Sequence, residues 1–185
     1  VHPETNDVFF NRWNGGEYFK WNFETNDKEQ IFRLDNGFNS AFIIAPSGKF
    51  GYIVSMGHHC IYRTNFNYET GKFMQPYLLC GDKGQSGYAD GPGTKAKFYE
   101  PQQGCFDEED NFYVCDQGNS IIRKVAPNGQ VTTFAGRQGQ YGLADGDLRL
   151  EALFDRPHGI AYNPETKEFY IADKNNKRIR IITKE

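Results

Sequence analysis

The sequence predicts an all-β fold, a β-propeller assembled from four-stranded antiparallel blades. A repeat is the first observation behind this. The stretch FYVCDQGNSIIRKV (112–125) returns as FYIADKNNKRIRII (169–182), with Asp116 on Asp173, Asn119 on Asn176 and Ile122-Arg123 on Ile179-Arg180, each at a step of 57 residues. Upstream, YADGPGTKAKFYEPQQG (88–104) returns as LADGDLRLEALFDRPHG (143–159), which lays Asp90-Gly91 on Asp145-Gly146, Phe98 on Phe154, Pro101 on Pro157 and Gly104 on Gly159. Self-similarity at such a period marks solenoids, propellers and arrays, in which each unit buries its apolar face against the next. Composition is the second observation: 20 Gly, 16 Phe, 11 Tyr and 2 Trp in 185 residues suit many short strands joined by tight turns. Periodicity is the third. Arg178-Ile179-Arg180-Ile181 alternates strictly, as a half-buried strand does, and no window of about 11 residues sustains the period of a helix.

Two fainter copies precede these. HPETNDVFFNRWNGGEYFKW (2–21) lines up with NPETKEFYIADKNNKRIRII (163–182), shares its Pro-Glu-Thr turn, and sets Arg12 where the later copy has Asp173. GYIVSMGHHCIYRT (51–64) sets Met56 on Asp116, His59 on Asn119 and Ile61-Tyr62-Arg63 on Ile121-Ile122-Arg123. Positions 12, 56, 116 and 173 are thus equivalent, at steps of 44, 60 and 57, and the units are expected at about 1–37, 38–80, 81–136 and 137–185. In the third unit, strands are predicted at 104–106, 112–115, 121–125 and 131–135, parted by turns at 107–111 and 116–120 and by Pro127-Asn128-Gly129. The first unit opens at its first turn and the last stops after its third strand. The innermost strand of the one and the outermost strand of the other are therefore expected from upstream of Val1, in a longer protein. Open strand edges pair readily with another chain, so these residues alone are expected to dimerise or aggregate.

Several function classes fall away. The formal net charge is −3 and the Lys and Arg residues are not clustered, which removes the footprint of a nucleic-acid binder. No apolar run approaches the roughly 18 residues of a membrane span. Cys60, Cys80, Cys105 and Cys115 lack the CxxC spacing of a zinc ribbon, and Cys115, which stands where the sister unit has Ala172, reads as a small core residue. A serine hydrolase would need a Gly-x-Ser-x-Gly elbow, which is missing. The glycine-rich GxxGxADG stretches at 84–91 and 139–146 precede no helix that would cradle a phosphate, and their recurrence points to a role in building the blade. Asp116, Asn119, Asp173 and Asn176 are expected to be structural, bonding turn backbone.

The third and fourth units resemble NHL repeats. That pattern runs Pro-x-Gly with an apolar strand, a turn, an apolar-Tyr-Val-Ala-Asp strand, an Asn, an Arg/Ile strand, a Gly turn and a closing Ala-Gly. FYVCDQGNSIIRKVAPNGQVTTFAG (112–136) follows it closely, whereas Arg12 and Met56 stand at its Asp in the first two units. The resemblance implies a ring of about six blades. The chain is also similar to the C-terminal part of bacterial cell-surface proteins that join an Ig-like TIG domain to NHL repeats. That likeness implies an exported protein, at the cell surface or in the periplasm, that takes a carbohydrate or other extracellular ligand without a cofactor.

In a propeller the loops after the second and fourth strands of each blade share one face. The long connectors 81–100 and 136–156 and the turns at 12–15, 55–59, 116–119 and 173–176 belong there, and connectors of that length are often functional. Trp13, Tyr88, Gln102, Tyr141, Arg156 and His158, with His58 and His59, are therefore expected to gather on that face as ligand-binding residues. Aromatic rings would stack on sugar rings while Asn, Gln and Arg supply hydrogen bonds. His158 opens the inner strand in RPHGIA, the blade position at which NHL-like lyases of amidated peptide precursors carry zinc-binding histidines. This resemblance makes His158 a candidate ligand for a divalent metal such as zinc or calcium, in a lyase or hydrolase working at the channel mouth. A catalytic zinc takes about three protein ligands. The matching position holds Gln102 in the third unit and falls near Asn39 in the second. A protein-interaction scaffold is the third possibility.

Overall fold

A computed structural model describes residues 1–12, 16–35 and 38–183. It is all-β, with four antiparallel sheets in chain order. The first holds β1 (Phe9–Asn11), β2 (Glu17–Asn22) and β3 (Asp27–Arg33). The second starts with β4 (Asn39–Ile44), β5 (Phe50–Ser55) and β6 (Cys60–Asn67); the long β6 then pairs with both β7 (Lys72–Phe73) and β8 (Tyr77–Cys80). Next come β9 (Gly91–Pro92), β10 (Pro101–Phe106), β11 (Phe112–Asp116), β12 (Ile121–Val125) and β13 (Gln130–Ala135), with the short connector strand β9 added outside β13. The last sheet is β14 (Pro157–Asn163), β15 (Glu168–Asp173) and β16 (Arg178–Thr183). Strands β4, β10 and β14 are the inner strands, and they lie side by side. The predicted strands of the third unit hold, except that β10 begins three residues earlier than expected, at Pro101.

The core lies between consecutive blades. Tyr18 and Phe32 of the first sheet pack on Ile53, Tyr62, Phe66 and Phe73 of the second. Tyr52, Val54, Ile61 and Cys80 meet Phe106, Phe112 and Val114 of the third, and Tyr113, Cys115 and Ile122 meet Ile160, Phe169 and Ile171 of the fourth. A middle blade is therefore covered on both faces. This explains why Phe50–Ser55 and Phe112–Asp116 read as continuous apolar runs and are buried at every position, where a one-sided sheet would alternate. Gly104 permits the close approach this packing needs, since a Cβ there would fall 2.2 Å from Phe112 Cζ.

The pairing corrects one alignment. Ser55 closes the β5–β6 ladder opposite Cys60, as Asp116 closes β11–β12 opposite Ile121. Ser55, not Met56, is thus the equivalent of Asp116, and His58, not His59, the equivalent of Asn119. The inner strands shift likewise: Asn39 pairs with Ser55 as Pro101 pairs with Asp116 and Pro157 with Asp173. The second-blade position that matches Gln102 and His158 is therefore Ser40.

Candidate functional site

The turn residues that recur between the third and fourth units build a lock inside the blade. Arg123 is fully buried beneath the connector 81–100. Its Nη1 donates to Asp116 Oδ2 (2.9 Å) and to the Lys97 carbonyl (2.9 Å), and its Nη2 donates to Asp90 Oδ1 (2.7 Å) and to the Ala89 carbonyl (2.7 Å). The rings of Tyr88 and Phe98 each lie 5.0 Å from its guanidinium. Asn119 Nδ2 joins Asp116 Oδ2 (2.9 Å) to the Gly87 carbonyl (2.8 Å), and the Tyr99 N–H donates to Asp116 Oδ1 (2.7 Å). The fourth blade repeats this with Arg180, Asp173, Asn176 and Asp145, closed over Phe154 at 5.1 Å. A planar, always-charged fork satisfies carboxylates and carbonyls together, as an ammonium would not. The second blade has only the short link 34–38 before it, so no long connector exists to be pinned. Ser55 Oγ and His58 Nδ1 (3.4 Å) stand there instead.

Where the inner strands begin, a cleft of about 480 Å³ opens, lined by Phe38, Met56, Glu100, Gln102, Gln117, Arg156, His158 and Lys174. The register resolves these into three positions taken from three blades. Phe38, Glu100 and Arg156 each immediately precede an inner strand, and each has a left-handed backbone, with φ of 47°, 51° and 51°. Gln102 and His158 are second in their strands, and Met56, Gln117 and Lys174 are the first residues of the turns after the second strands. Left-handed backbone costs a non-glycine residue energy, and its recurrence before all three described inner strands marks it as the geometry by which an inner strand begins. Neighbouring blades clasp there: the Glu100 N–H donates to His59 Nδ1 (3.2 Å) and the Arg156 N–H to Ser120 Oγ (3.2 Å).

Within the cleft, Arg156 Nη2 donates to Glu100 Oε2 (2.9 Å) and to Gln117 Oε1 (3.0 Å). Gln102 Nε2 faces both Met56 Sδ (2.8 Å) and Gln117 Oε1 (3.4 Å). Desolvation, helped by the nearby Lys174 charge, holds the His158 pKa below the ordinary imidazole value and keeps the ring neutral near pH 7. The wall therefore presents amides, two cations, one ion-paired carboxylate and the apolar faces of Met56 and of Phe38, which is 48% exposed.

Residues 154–182 match the NHL repeat family, over the Asp-Arg-Pro-His-Gly entry and the lock of the fourth blade. The fourth blade carries an NHL repeat. Human NHL repeat-containing protein 2 is 29% identical over 97 residues, which are 52% of this chain and 13% of that protein. An auxiliary nutrient binding protein of Bacteroides ovatus is 37% identical, with a TM-score of 0.90 over 100% of this chain and 47% of that one. A protein of Bacteroides thetaiotaomicron named as a candidate phosphatase is 28% identical, with a TM-score of 0.91 over 100% of this chain and 48% of that one. The chain thus spans about half the length of these two solved structures and a small part of the human relative.

The blades bring together Gln102, Arg156 and His158 among the expected site residues. Tyr88 is placed elsewhere: its hydroxyl bonds Thr133 Oγ1 (2.8 Å) and its ring covers Arg123. Tyr141 sits in the connector 136–156, exposed and outside the cleft lining. His58 and His59 belong to the turns that clasp the blades, and Trp13 lies outside the described residues. Phe38, Met56, Glu100, Gln117 and Lys174 also line the cleft, and sequence reasoning passed over them. The repeat held the signal, since Gln117 and Lys174 follow the matched aspartates and Glu100 and Arg156 precede the matched prolines. The sequence offers His158 as a metal ligand. Arg156 and Lys174 line the same wall, and among the described residues no three His, Cys, Asp or Glu side chains converge to hold an ion. No helix of the described residues is long and apolar enough to cross a membrane.

Proposed function

We propose that this NHL propeller binds a carbohydrate in the cleft where the inner strands begin and releases it unchanged. The observation that carries this is the lining itself: equivalent positions of three blades converge on one cleft with hydrogen-bonding amides, a neutral imidazole and an exposed phenyl face. Such a wall supplies both halves of sugar recognition, apolar stacking and directed hydrogen bonds. Among the described residues it holds no nucleophile beside a base, and its carboxylate is committed to Arg156. The likeness to an auxiliary nutrient binding protein from Bacteroides supports the same reading, and with it export to the cell surface or periplasm.

A glycan array followed by calorimetry tests the proposal. The array should return a saccharide ligand, and His158→Ala and Gln102→Ala should each weaken it about tenfold or more, the scale of a lost buried hydrogen bond. Glu165→Ala, at a turn on the opposite face, should not. Binding indifferent to both cleft substitutions would overturn the site. Steady turnover of a phosphate ester that is lost in His158→Ala would replace binding with hydrolysis, the activity that the second Bacteroides relative's name suggests.

A further inference from the structure

We infer that the cleft is shaped for an acidic saccharide, with the carboxylate of a uronic acid received between Gln117 and Lys174. The inference rests on the carbohydrate reading above and narrows it. Its starting point is an unmet donor. Gln117 is 4% exposed, and its Nε2 has no hydrogen-bond partner among the described residues. The orientation of that amide is forced: an arginine only donates, so the Gln117 atom facing Arg156 Nη2 at 3.0 Å must be the oxygen, which leaves the NH2 group looking for an acceptor. A buried donor left unsatisfied costs more than an ordinary hydrogen bond contributes, so native structures supply it with a partner.

The charge balance points the same way. Arg156 and Lys174 face one carboxylate, Glu100, which Arg156 already holds at 2.9 Å. Lys174 makes no ion pair among the described residues, and it occupies in the fourth blade the position that Gln117 occupies in the third. One positive charge is thus left over in a cleft of a chain whose formal net charge is −3. Sugar hydroxyls bring donors and acceptors alike, whereas a carboxylate brings acceptors only. It matches both the orphan amide and the single excess charge, and charge-assisted bonds to it are the stronger kind.

Calorimetry with paired probes decides this: oligogalacturonate, oligomannuronate and hyaluronan oligosaccharides, each beside its methyl ester, which keeps the sugar and masks the charge. At least one acid should bind about tenfold tighter than its ester. That advantage should shrink as salt rises to about 0.15 M, and it should vanish in Lys174→Met. Lys174 is an exposed turn residue, so the variant should melt with the parent; the salt series on the unaltered protein gives an independent answer if it does not. Esters or neutral glycans bound as tightly as the acids would overturn the inference and leave the carbohydrate reading standing. No saccharide bound in either form would overturn both.

Discussion

Arg123 is where a single residue decides most. It is a fully buried cation whose partners include the equally buried Asp116. Burying such a pair is costly, and removing one member costs more, because the other is left charged in a dry interior. Arg123→Met should therefore destabilise the protein by about 3–5 kcal/mol, read from chemical denaturation. Arg180→Met should cost less, because Arg180 is 9% exposed and its second carboxylate, Asp145, is largely in water. Arg123→Lys should rescue little, since a point charge cannot serve two carboxylates and two carbonyls at once. Equal losses at the two arginines would mean that burial does not set the cost. Asp116 and Asn119 were legible as turn residues from the repeat. Their arginine was not, because alternation in a strand suggests that the Ile side is inside. In β16 the order is reversed: Arg180 is buried while Ile179 and Ile181 are 66% and 57% exposed.

At the scale of the element, the connectors explain which blades keep the lock. A stretch of about 20 residues folded against its blade covers the arginine, and the short link before the second blade has nothing to cover. That difference also hid the true register, since without the Asp and Arg the second blade offered the alignment too little to hold against a slip of one residue. The strands themselves were plain in the sequence, and so was the interior place of Cys115, which has no exposed surface. Burial pushes the Cys60 thiol up to about 11 and the Cys105 thiol up to about 12, and raises Cys80 and Cys115 as well. The thiolate is the reactive form, so at pH 8 all four thiols should react with a disulfide reagent far more slowly than in denaturant. The sign of the linked stability follows. These thiols favour the fold fully below their unfolded pKa near 8.5, and that contribution is lost as pH rises through about 11 to 12. Release of thionitrobenzoate from Ellman's reagent by the folded protein at the denatured rate would show that the blades open.

At the scale of the molecule, each core cluster needs the next blade, so the two outermost sheets decide how the protein behaves on its own. Strand β16 pairs with β15 on one side and with no strand of the described residues on the other. Beside that edge runs a groove of about 580 Å³ lined by Phe134, Leu148, Arg149, Ile181 and Ile182 among others. Unpaired backbone flanked by exposed isoleucine is the surface on which strands add. Residues 1–185 alone should therefore self-associate as concentration rises, seen as a growing weight-average mass in sedimentation. Ile181→Lys should return them to monomers, because a charge on the edge strand disfavours a second strand beside it. Association that survives Ile181→Lys would move the contact to the first sheet, where Glu29 and Lys28 already give β3 a charged edge. A monomer at every concentration would mean that the groove is closed from within the chain.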